Sequence, residues 1–206
     1  FQFDCHNILG TATTEYPGGV FRLGSELYLF LENDIYKYST ANDNWTSVGS
    51  AGAGNITGAV VLGTSVYLAK SSGDYYTMNT AETIAASGGG EDAHLFHSWK
   101  ESGLLWRSFD NNVYYTNDGV TWSAAIEVCS SAYAVRGMAG MGDYLFCATD
   151  DGLYRIYGDY AFQVTRWGTT DSDNGRNMIH HNGSLYIPVN NRIFEYNEAG
   201  SLREIW

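Results

Sequence analysis

A repeat of about 40 residues is the feature that most narrows the folds this sequence can adopt. Five β-rich segments align on Tyr28, Tyr67, Leu105, Leu145 and Tyr186, in steps of 39, 38, 40 and 41 residues. A second set of aromatic segments follows them in steps of 40, 38, 40 and 40 residues, with starts at positions 35, 75, 113, 153 and 193. Two independent registers agree, so chance is a poor explanation. A period of this length is typical of repeat architectures.

Each repeat reads as four short strands. The segment of the first set is followed by a polar turn, the aromatic segment, another turn, and a run that often holds a Trp, such as NWTSV, TWSAAIEV or QVTRW. A further apolar segment, such as GAVVLG, AVRGMAG or NMIHHNG, precedes the first set. Asn, Asp and Gly occupy the turns, and no long stretch has a helical apolar period. The 2 Pro residues are few enough to allow central strands.

Four strands per 40 residues predict an all-β fold, a β-propeller with about five four-stranded blades of roughly 40 residues each. We expect residues 18–206 to form the five-bladed propeller and residues 1–17 to form an N-terminal arm or appended strand. The ring either closes at five blades or is part of a larger ring, and closure is favoured because the last repeat ends with a full set of strands. A two-sheet β-sandwich is the alternative fold.

Composition and charge exclude two classes of partner. The formal net charge of −12, with 11 scattered Lys and Arg residues, disfavours nucleic acid and anionic membrane surfaces. No apolar run approaches the roughly 20 residues needed for membrane insertion. Charged residues make up 17% of a chain with 16 Tyr and 24 Gly, so the polar surface is largely Ser, Thr and Asn. Such a surface suits an extracellular or virion-associated protein, and the start at Phe1 indicates a removed leader or a piece of a longer polypeptide.

The stretch YTNDGVTW, residues 115–122, is predicted to lie between the third and fourth strands of the third blade. It resembles the Asp-box hairpin of sialidases and other propellers, with the pattern Ser-x-Asp-x-Gly-x-Thr-Trp. Gly119, Thr121 and Trp122 match it, and Thr116 with Asp118 gives a contracted form. The physics of this motif is structural, because the Asx side chain accepts backbone N–H bonds and Gly supplies a positive φ. We expect Trp122 to pack against its own hairpin.

The combination of turns such as DGVTW with strands of alternating aromatic residues also resembles propeller domains of bacteriophage tail and receptor-binding proteins. This resemblance implies a non-catalytic binding or structural module of a virion tail or cell-surface appendage, with glycan or protein partners in a larger assembly. The blade loops would make the contacts. Two alternatives stay open: a sialidase-like Asp-box glycoside hydrolase, and a protein–protein scaffold propeller of a secreted assembly.

The residues do not favour an enzyme. A sialidase-like site needs three arginines around one carboxylate, and the blade positions of the arginines do not bring three together. A general glycosidase needs two carboxylates about 5–10 Å apart. Candidates for that pair are Glu26, Asp110, Asp143, Asp150 and Asp151. Acidic turn residues are expected in any propeller, so we expect no catalytic residue.

The candidate metal-binding residues are also explained by ordinary strands and polar turns. His94 and His97 would point to opposite sides of a strand, which disfavours a zinc site. Asp171 and Asp173, in TTDSDNGRN, are the candidate metal ligands, for calcium. The segment lacks the full spacing and the distal Glu of a calcium loop, so an ordinary polar turn is favoured and no cofactor is expected.

Ligand contacts are expected from residues in turns rather than in strands. The predicted ligand-binding residues are Tyr16, Trp99, Asp110, Asn111, Asp150 and Asp151.

Overall fold

The computed structural model of the protein describes residues 18–87, 92–99 and 102–206. These ranges hold 20 strands in five separate four-stranded antiparallel sheets, each a simple meander, and they contain no helix. The predicted all-β fold of five four-stranded propeller blades is confirmed. No helix of the described ranges is long and apolar enough to cross a membrane.

The strands follow one another in chain order, four to a blade. The first two blades consist of β1 (Gly19–Leu23), β2 (Glu26–Leu31), β3 (Asp34–Ser39), β4 (Asn44–Ser50), β5 (Ile56–Leu62), β6 (Ser65–Lys70), β7 (Tyr76–Asn79) and β8 (Ile84–Ala86). The other three blades consist of β9 (Leu95–Ser98), β10 (Leu105–Phe109), β11 (Asn112–Thr116), β12 (Ile126–Glu127), β13 (Val135–Met141), β14 (Tyr144–Thr149), β15 (Gly152–Tyr157), β16 (Tyr160–Arg166), β17 (Ile179–His181), β18 (Ser184–Val189), β19 (Arg192–Asn197) and β20 (Leu202–Glu204).

The two sequence registers correspond to the second and third strands of each blade. Second strands such as β6 and β14 are buried at nearly every position, on both faces of the sheet. Fourth strands such as β4 and β16 are largely exposed, with partly buried positions between the exposed ones. The second strands carry continuous apolar runs because side chains cover both of their faces.

The described residues form two compact units. The first ends at His94 and holds the first two blades, and the second spans Leu95–Trp206 and holds the other three. A cluster that includes Tyr28 and Leu68 fills the first unit. The second unit has one cluster around Trp106 and Cys147 and another around Phe146 and Leu185. Ring closure at five blades stays a prediction, and residues 1–17 lie outside the described ranges.

The fourth strand of the third blade is much shorter than expected. The sequence TWSAAIEV predicts a full strand, but only Ile126–Glu127 pairs with β11. Side chains take over part of the pairing upstream, since the Tyr115 N–H donates to Ser123 Oγ at 3.1 Å. The Ser123 N–H in turn donates to the Tyr115 carbonyl at 2.9 Å. The chain between these bonds is a turn whose hydrogen bonds are made by side chains.

The turn between the second and third strands is bonded to the connector that leaves its blade. In the first blade the N–H of Ala51 donates to the Asn33 carbonyl at 2.8 Å, and the N–H of Ile56 donates to the Glu32 carbonyl at 2.7 Å. The third and fourth blades repeat this pair of backbone bonds through the carbonyls of Asn111, Asp110, Asp151 and Asp150, at 2.9, 2.8, 2.8 and 3.1 Å. These bonds satisfy connector groups that would otherwise lack acceptors.

Candidate ligand-binding site

A pocket rich in aromatic side chains lies between the third and fourth blades, within the second unit. Its volume is about 310 Å³. We call it the aromatic pocket, and its lining residues are Trp99, Ser102, Leu104, Trp106, Tyr115, Asp143, Leu145, Ile156, Tyr157 and Gly158. It opens at the edge of the fourth blade that carries the β13–β14 and β15–β16 turns.

Trp99 follows directly after β9 and is fixed by contacts to the next blade. Its Nε1 donates to the Gly142 carbonyl at 3.0 Å. The indole stacks on Trp106, with ring centroids 6.4 Å apart and an interplanar angle of 23°. Gly140 makes room for this ring, since a Cβ at that position would lie 2.0 Å from Trp99 Cδ2. The position and orientation of Trp99 therefore depend on a glycine in a different blade.

Trp106 and Tyr115 continue the aromatic wall on neighbouring strands. They are paired in register across β10 and β11, and their ring centroids lie 5.0 Å apart. The Tyr115 hydroxyl donates to Asp159 Oδ1 at 3.3 Å, and the charge of Asp159 raises the pKa of the Tyr115 phenol. Trp106 is 6% exposed, and its Nε1 has no hydrogen-bond partner among the described residues. Buried indole donors normally have a partner, so the unpaired Trp106 Nε1 is an exception inside this blade.

His97 supports the wall from behind. Its ring stacks on Trp99 with centroids 5.8 Å apart, and its Nε2 accepts the Gly140 N–H at 2.8 Å. Burial lowers the pKa of the His97 imidazole from 6.5 to about 4. The ring is therefore neutral near pH 7, as its role as an acceptor requires.

The aromatic pocket presents groups that can bind a ring-shaped ligand. Aromatic faces stack against the C–H faces of ring-shaped ligands, and the exposed Asp143 carboxylate accepts hydrogen bonds from hydroxyls. Among the described lining residues Asp143 is the one carboxylate, and the Asp159 carboxylate lies next to the wall, at the Tyr115 hydroxyl. Asp159 near the wall adds negative charge, which disfavours acidic ligands.

Of the predicted ligand-binding residues, Trp99 lines the aromatic pocket. Tyr16 lies outside the described residues. Asp110 and Asn111 form the β10–β11 turn, and Asn111 is buried with its Nδ2 donating to the Cys129 carbonyl at 2.8 Å. That turn lies at the far end of β10 from the pocket, so the fold does not bring these two residues to Trp99.

Asp150 and Asp151 form the β14–β15 turn. Asp150 is paired with Arg136 Nε at 2.6 Å and accepts the Ala134 N–H at 2.7 Å. Asp151 Oδ1 accepts from the Thr149 hydroxyl at 2.8 Å. β14 separates this turn from Asp143 by six residues, about 20 Å at the rise of a strand. Both side chains thus have partners within the fold, remote from the aromatic pocket.

The candidate metal ligands form a polar turn. The Asp173 carboxylate contacts Arg176 Nε at 3.1 Å, and Asp171 Oδ1 accepts the Asp173 N–H at 2.9 Å. Across the described part of the chain, no three His, Cys, Asp or Glu side chains are grouped so that they could hold a metal ion.

The YTNDGVTW turn is closed by its own side chains. Asp118 Oδ1 accepts the N–H groups of Val120 and Thr121, both at 2.8 Å. The Thr116 hydroxyl donates to the same oxygen at 2.9 Å and accepts the Gly119 N–H at 3.0 Å. These bonds stabilise the charged carboxylate and lower the pKa of Asp118 to about 2.

Part of this pattern recurs in the fourth blade. There the Thr149 hydroxyl contacts Asp151 Oδ1 at 2.8 Å and accepts the Gly152 N–H at 3.1 Å. The order Thr, any residue, Asp, Gly is the same in both turns, although one follows a third strand and the other a second strand. The pattern is therefore a local solution for a tight turn rather than a mark of one blade position.

Trp122 packs on side chains of β9 and β10, two other strands of its own sheet. Packing against its own β11–β12 hairpin stays a prediction. The Trp122 ring lies 4.6 Å from the guanidinium carbon of Arg107 and 6.2 Å from the ring centroid of Phe96. Arg107 is also 4.5 Å from the ring of Tyr114, so a buried cation lies against two aromatic rings. Cation–π attraction of this kind grows when the cation is desolvated.

Sequence reasoning missed most of the pocket. Trp106, Tyr115 and Tyr157 lie on strands or at strand ends, where they were interpreted as part of the repeat. Asp143 was considered as a glycosidase carboxylate rather than as a binding residue. A local signal did exist at Tyr115, because it precedes a turn rich in Asx and Gly, but no local pattern shows which aromatic faces the neighbouring blade.

Comparison with known proteins is informative about fold. No family profile matches the sequence, and no curated protein is significantly similar to it. The extracellular domain of BT4673 from B. thetaiotaomicron, proposed to be a one-component system, superposes with a TM-score of 0.73 at 14% identity over 97% of this chain. A second structure of that domain, described as part of a hybrid two-component system, gives a TM-score of 0.76 at 14% identity over 97% of this chain.

A further similar structure is the computationally designed Ika8 protein, with a TM-score of 0.64 at 8% identity over 90% of this chain and 60% of its own. The chain spans only 29% and 28% of the length of the two BT4673 structures. At such identities the similarity shows the fold alone.

Proposed function

We propose that this chain is a non-catalytic binding module that acts outside the cell and holds a neutral sugar ring in the aromatic pocket. The observation that carries the proposal is the wall formed by Trp99, Trp106 and Tyr115 beside the Asp143 carboxylate. Aromatic rings stack on sugar faces, while a carboxylate accepts bonds from sugar hydroxyls. Asp143 is the one carboxylate among the described lining residues, and the nearby Asp159 carboxylate bonds to the Tyr115 hydroxyl, which supports retention of the sugar rather than its cleavage.

The setting of this module is also a proposal. The extracellular domain of BT4673 has the same fold, and a chain with 17% charged residues and 16 Tyr suits contact with sugars and proteins. We further propose that the module belongs to a virion tail or a cell-surface appendage, which is supported by the resemblance to phage tail propellers and to the Asp-box. The Thr116–Asp118–Gly119 turn supports the Asp-box resemblance through its side-chain bonds.

The test is binding to a broad glycan array, with both retention and cleavage measured. Retention of at least one neutral glycan without cleavage is expected. Trp99→Ala should weaken that binding about tenfold, which is the loss of about 1.4 kcal/mol of stacking. Trp45→Ala is the matched control, because Trp45 lies on β4 outside the pocket.

Other results would overturn the proposal. Cleavage of any glycan would favour the Asp-box hydrolase. Neither binding nor cleavage of any glycan on the array would favour the protein–protein scaffold. If Trp99→Ala and Trp45→Ala weakened glycan binding equally, the aromatic pocket would not be the sugar site.

A further inference from the structure

A second and larger pocket lies between the fourth and fifth blades, again within the second unit. Its volume is about 790 Å³. We call it the arginine pocket, and its lining residues are Arg166, Trp167, Gly168, Thr169, Val189, Asn190, Asn191, Arg192, Phe194 and Leu202. None of these residues belongs to the aromatic pocket.

The floor of the arginine pocket is apolar and fixed. Trp167 and Phe194 pack with ring centroids 6.3 Å apart, and Leu202 packs beside them. The Trp167 Nε1 donates to the Thr149 carbonyl at 2.9 Å, which holds the indole in place. An apolar floor of this kind binds the body of a ligand rather than a small inorganic ion.

The rim carries two exposed arginines. Arg166 Nε donates to the neutral amide of Gln163 at 3.2 Å, which leaves its positive charge without compensation from that partner. Arg192 Nη1 pairs with Glu204 at 2.8 Å, which uses only part of the guanidinium's set of donors. Among the described residues that line this pocket none is a carboxylate, and Glu204 offsets the charge of Arg192 from outside the lining. The net positive charge at the rim therefore comes from Arg166, in a chain of formal net charge −12.

Amide groups complete the rim. The Asn190 side chain donates to Thr169 Oγ1 at 2.9 Å, and its backbone N–H donates to Asn174 Oδ1 at 3.0 Å. These bonds fix the β18–β19 turn and leave Asn191 exposed beside Arg192. The turn is therefore rigid enough to present donors in a defined place.

We infer that the arginine pocket binds an organic carboxylate whose body has an apolar face. Guanidinium groups match carboxylates in geometry and charge, and the Trp167–Phe194 floor would cover the apolar body. Cations are disfavoured by the two arginines, and inorganic phosphate would leave the floor unused. The carboxylate could belong to an acidic sugar or to another ring acid, since both present the same chemistry.

This site is independent of the proposed sugar site. β16 begins beside Gly158 of the aromatic pocket and ends at Arg166 of the arginine pocket. Its seven residues span about 20 Å at the rise of a strand. A ligand of one pocket therefore cannot contact both through a single ring.

The test uses five probes on the whole chain: benzoate, glucuronate, their neutral counterparts benzamide and glucose, and inorganic phosphate. Saturation-transfer NMR and titration calorimetry should show binding of at least one carboxylate, at least tenfold tighter than its neutral counterpart. Whether benzoate or glucuronate binds better distinguishes a ring acid from an acidic sugar. Binding should weaken as salt rises, because the arginines are exposed.

Variants locate the site. Arg166→Gln and Arg192→Gln should each weaken carboxylate binding about tenfold. Arg203→Gln is the matched control, since Arg203 also pairs with a carboxylate, that of Glu195 at 2.6 Å, but does not line the pocket. Unchanged melting temperatures would show that the variants fold.

Four outcomes would overturn the inference. They are binding of neither carboxylate, equal binding of the neutral counterparts by Trp99→Ala, in which the proposed sugar site is weakened, binding of inorganic phosphate as tight as that of the carboxylates, and loss of carboxylate binding in Trp99→Ala rather than in the arginine variants.

Discussion

Among the glycines at or near the aromatic pocket, Gly140 should be the one whose substitution by Ala destabilises the protein most. An added Cβ would lie 2.0, 2.4 and 2.5 Å from three atoms of the Trp99 indole. No carbon can approach a ring so closely, so Gly140→Ala must displace the indole. The displaced ring would lose its stacking on Trp106 and its bond to the Gly142 carbonyl.

The magnitude follows from these contacts. Overpacking of a filled site costs about 1–3 kcal/mol, which for a chain of this size lowers Tm by about 2–12 °C. In a Trp99→Ala background the obstacle is absent, and Gly140→Ala should be neutral or stabilising by up to about 1 kcal/mol, because Ala suits a strand better than Gly. The coupling energy between the two positions should therefore be about 1–4 kcal/mol.

Chemical denaturation of the four proteins in this double-mutant cycle measures the coupling directly. Gly58→Ala serves as the control, because Gly58 also lies in a first strand and a Cβ there would meet nothing within 4 Å. A Gly140→Ala cost that is the same with and without the Trp99 ring would refute the reasoning. So would a Gly58→Ala cost as large as that of Gly140→Ala.

Two further predictions concern the walls and turns around this pocket. The unfolded chain protonates His97 near pH 6.5, whereas the folded protein protonates it only near 4. The free energy of unfolding should therefore fall as pH drops through this window, by about 2–3 kcal/mol near pH 4.5, and urea titrations of His97→Gln should show a smaller fall. Asp118→Ala should speed amide hydrogen exchange at Val120 and Thr121, which lose their acceptor, while Asn117→Ala should leave both rates unchanged. Slow exchange that persists in Asp118→Ala would show that the backbone alone holds the turn.

The repeat made it possible to predict the fold from sequence, because the second strand of each blade occupies the same environment. Tyr67 and Leu145 recur at the same point of the period, and the structure places both on buried second strands. The fourth strand of the third blade could not be read in this way. Its shortening depends on hydroxyl and carboxylate bonds made by Ser123 and Asp118, which a pattern of apolar residues does not register.

The candidate site was far less readable. Trp99 stood out as an aromatic residue in a turn, but its orientation depends on Gly140 and Gly142, more than 40 positions away. The acidic turn residues stood out for the same reason, yet Asp150 is paired with Arg136 inside the fold. A polar residue in a turn can bind a ligand or form hydrogen bonds and ion pairs within the fold. Only its partners in the folded structure distinguish these two roles.

In the first, third and fourth blades, two backbone hydrogen bonds join the turn between the second and third strands to the following connector. Glu32 and Asp110, whose carbonyls accept one of these bonds in their blades, both have a positive φ near 50°. Side chains of the same turns add further bonds, such as that from Asn111 Nδ2 to the Cys129 carbonyl. Because the backbone bonds do not depend on side-chain identity, substitutions that remove the side-chain bonds would leave part of each connection between blades in place. A fold connected in this way can be kept while its sequence diverges, and the BT4673 domain shares the fold with a TM-score of 0.73 at 14% identity.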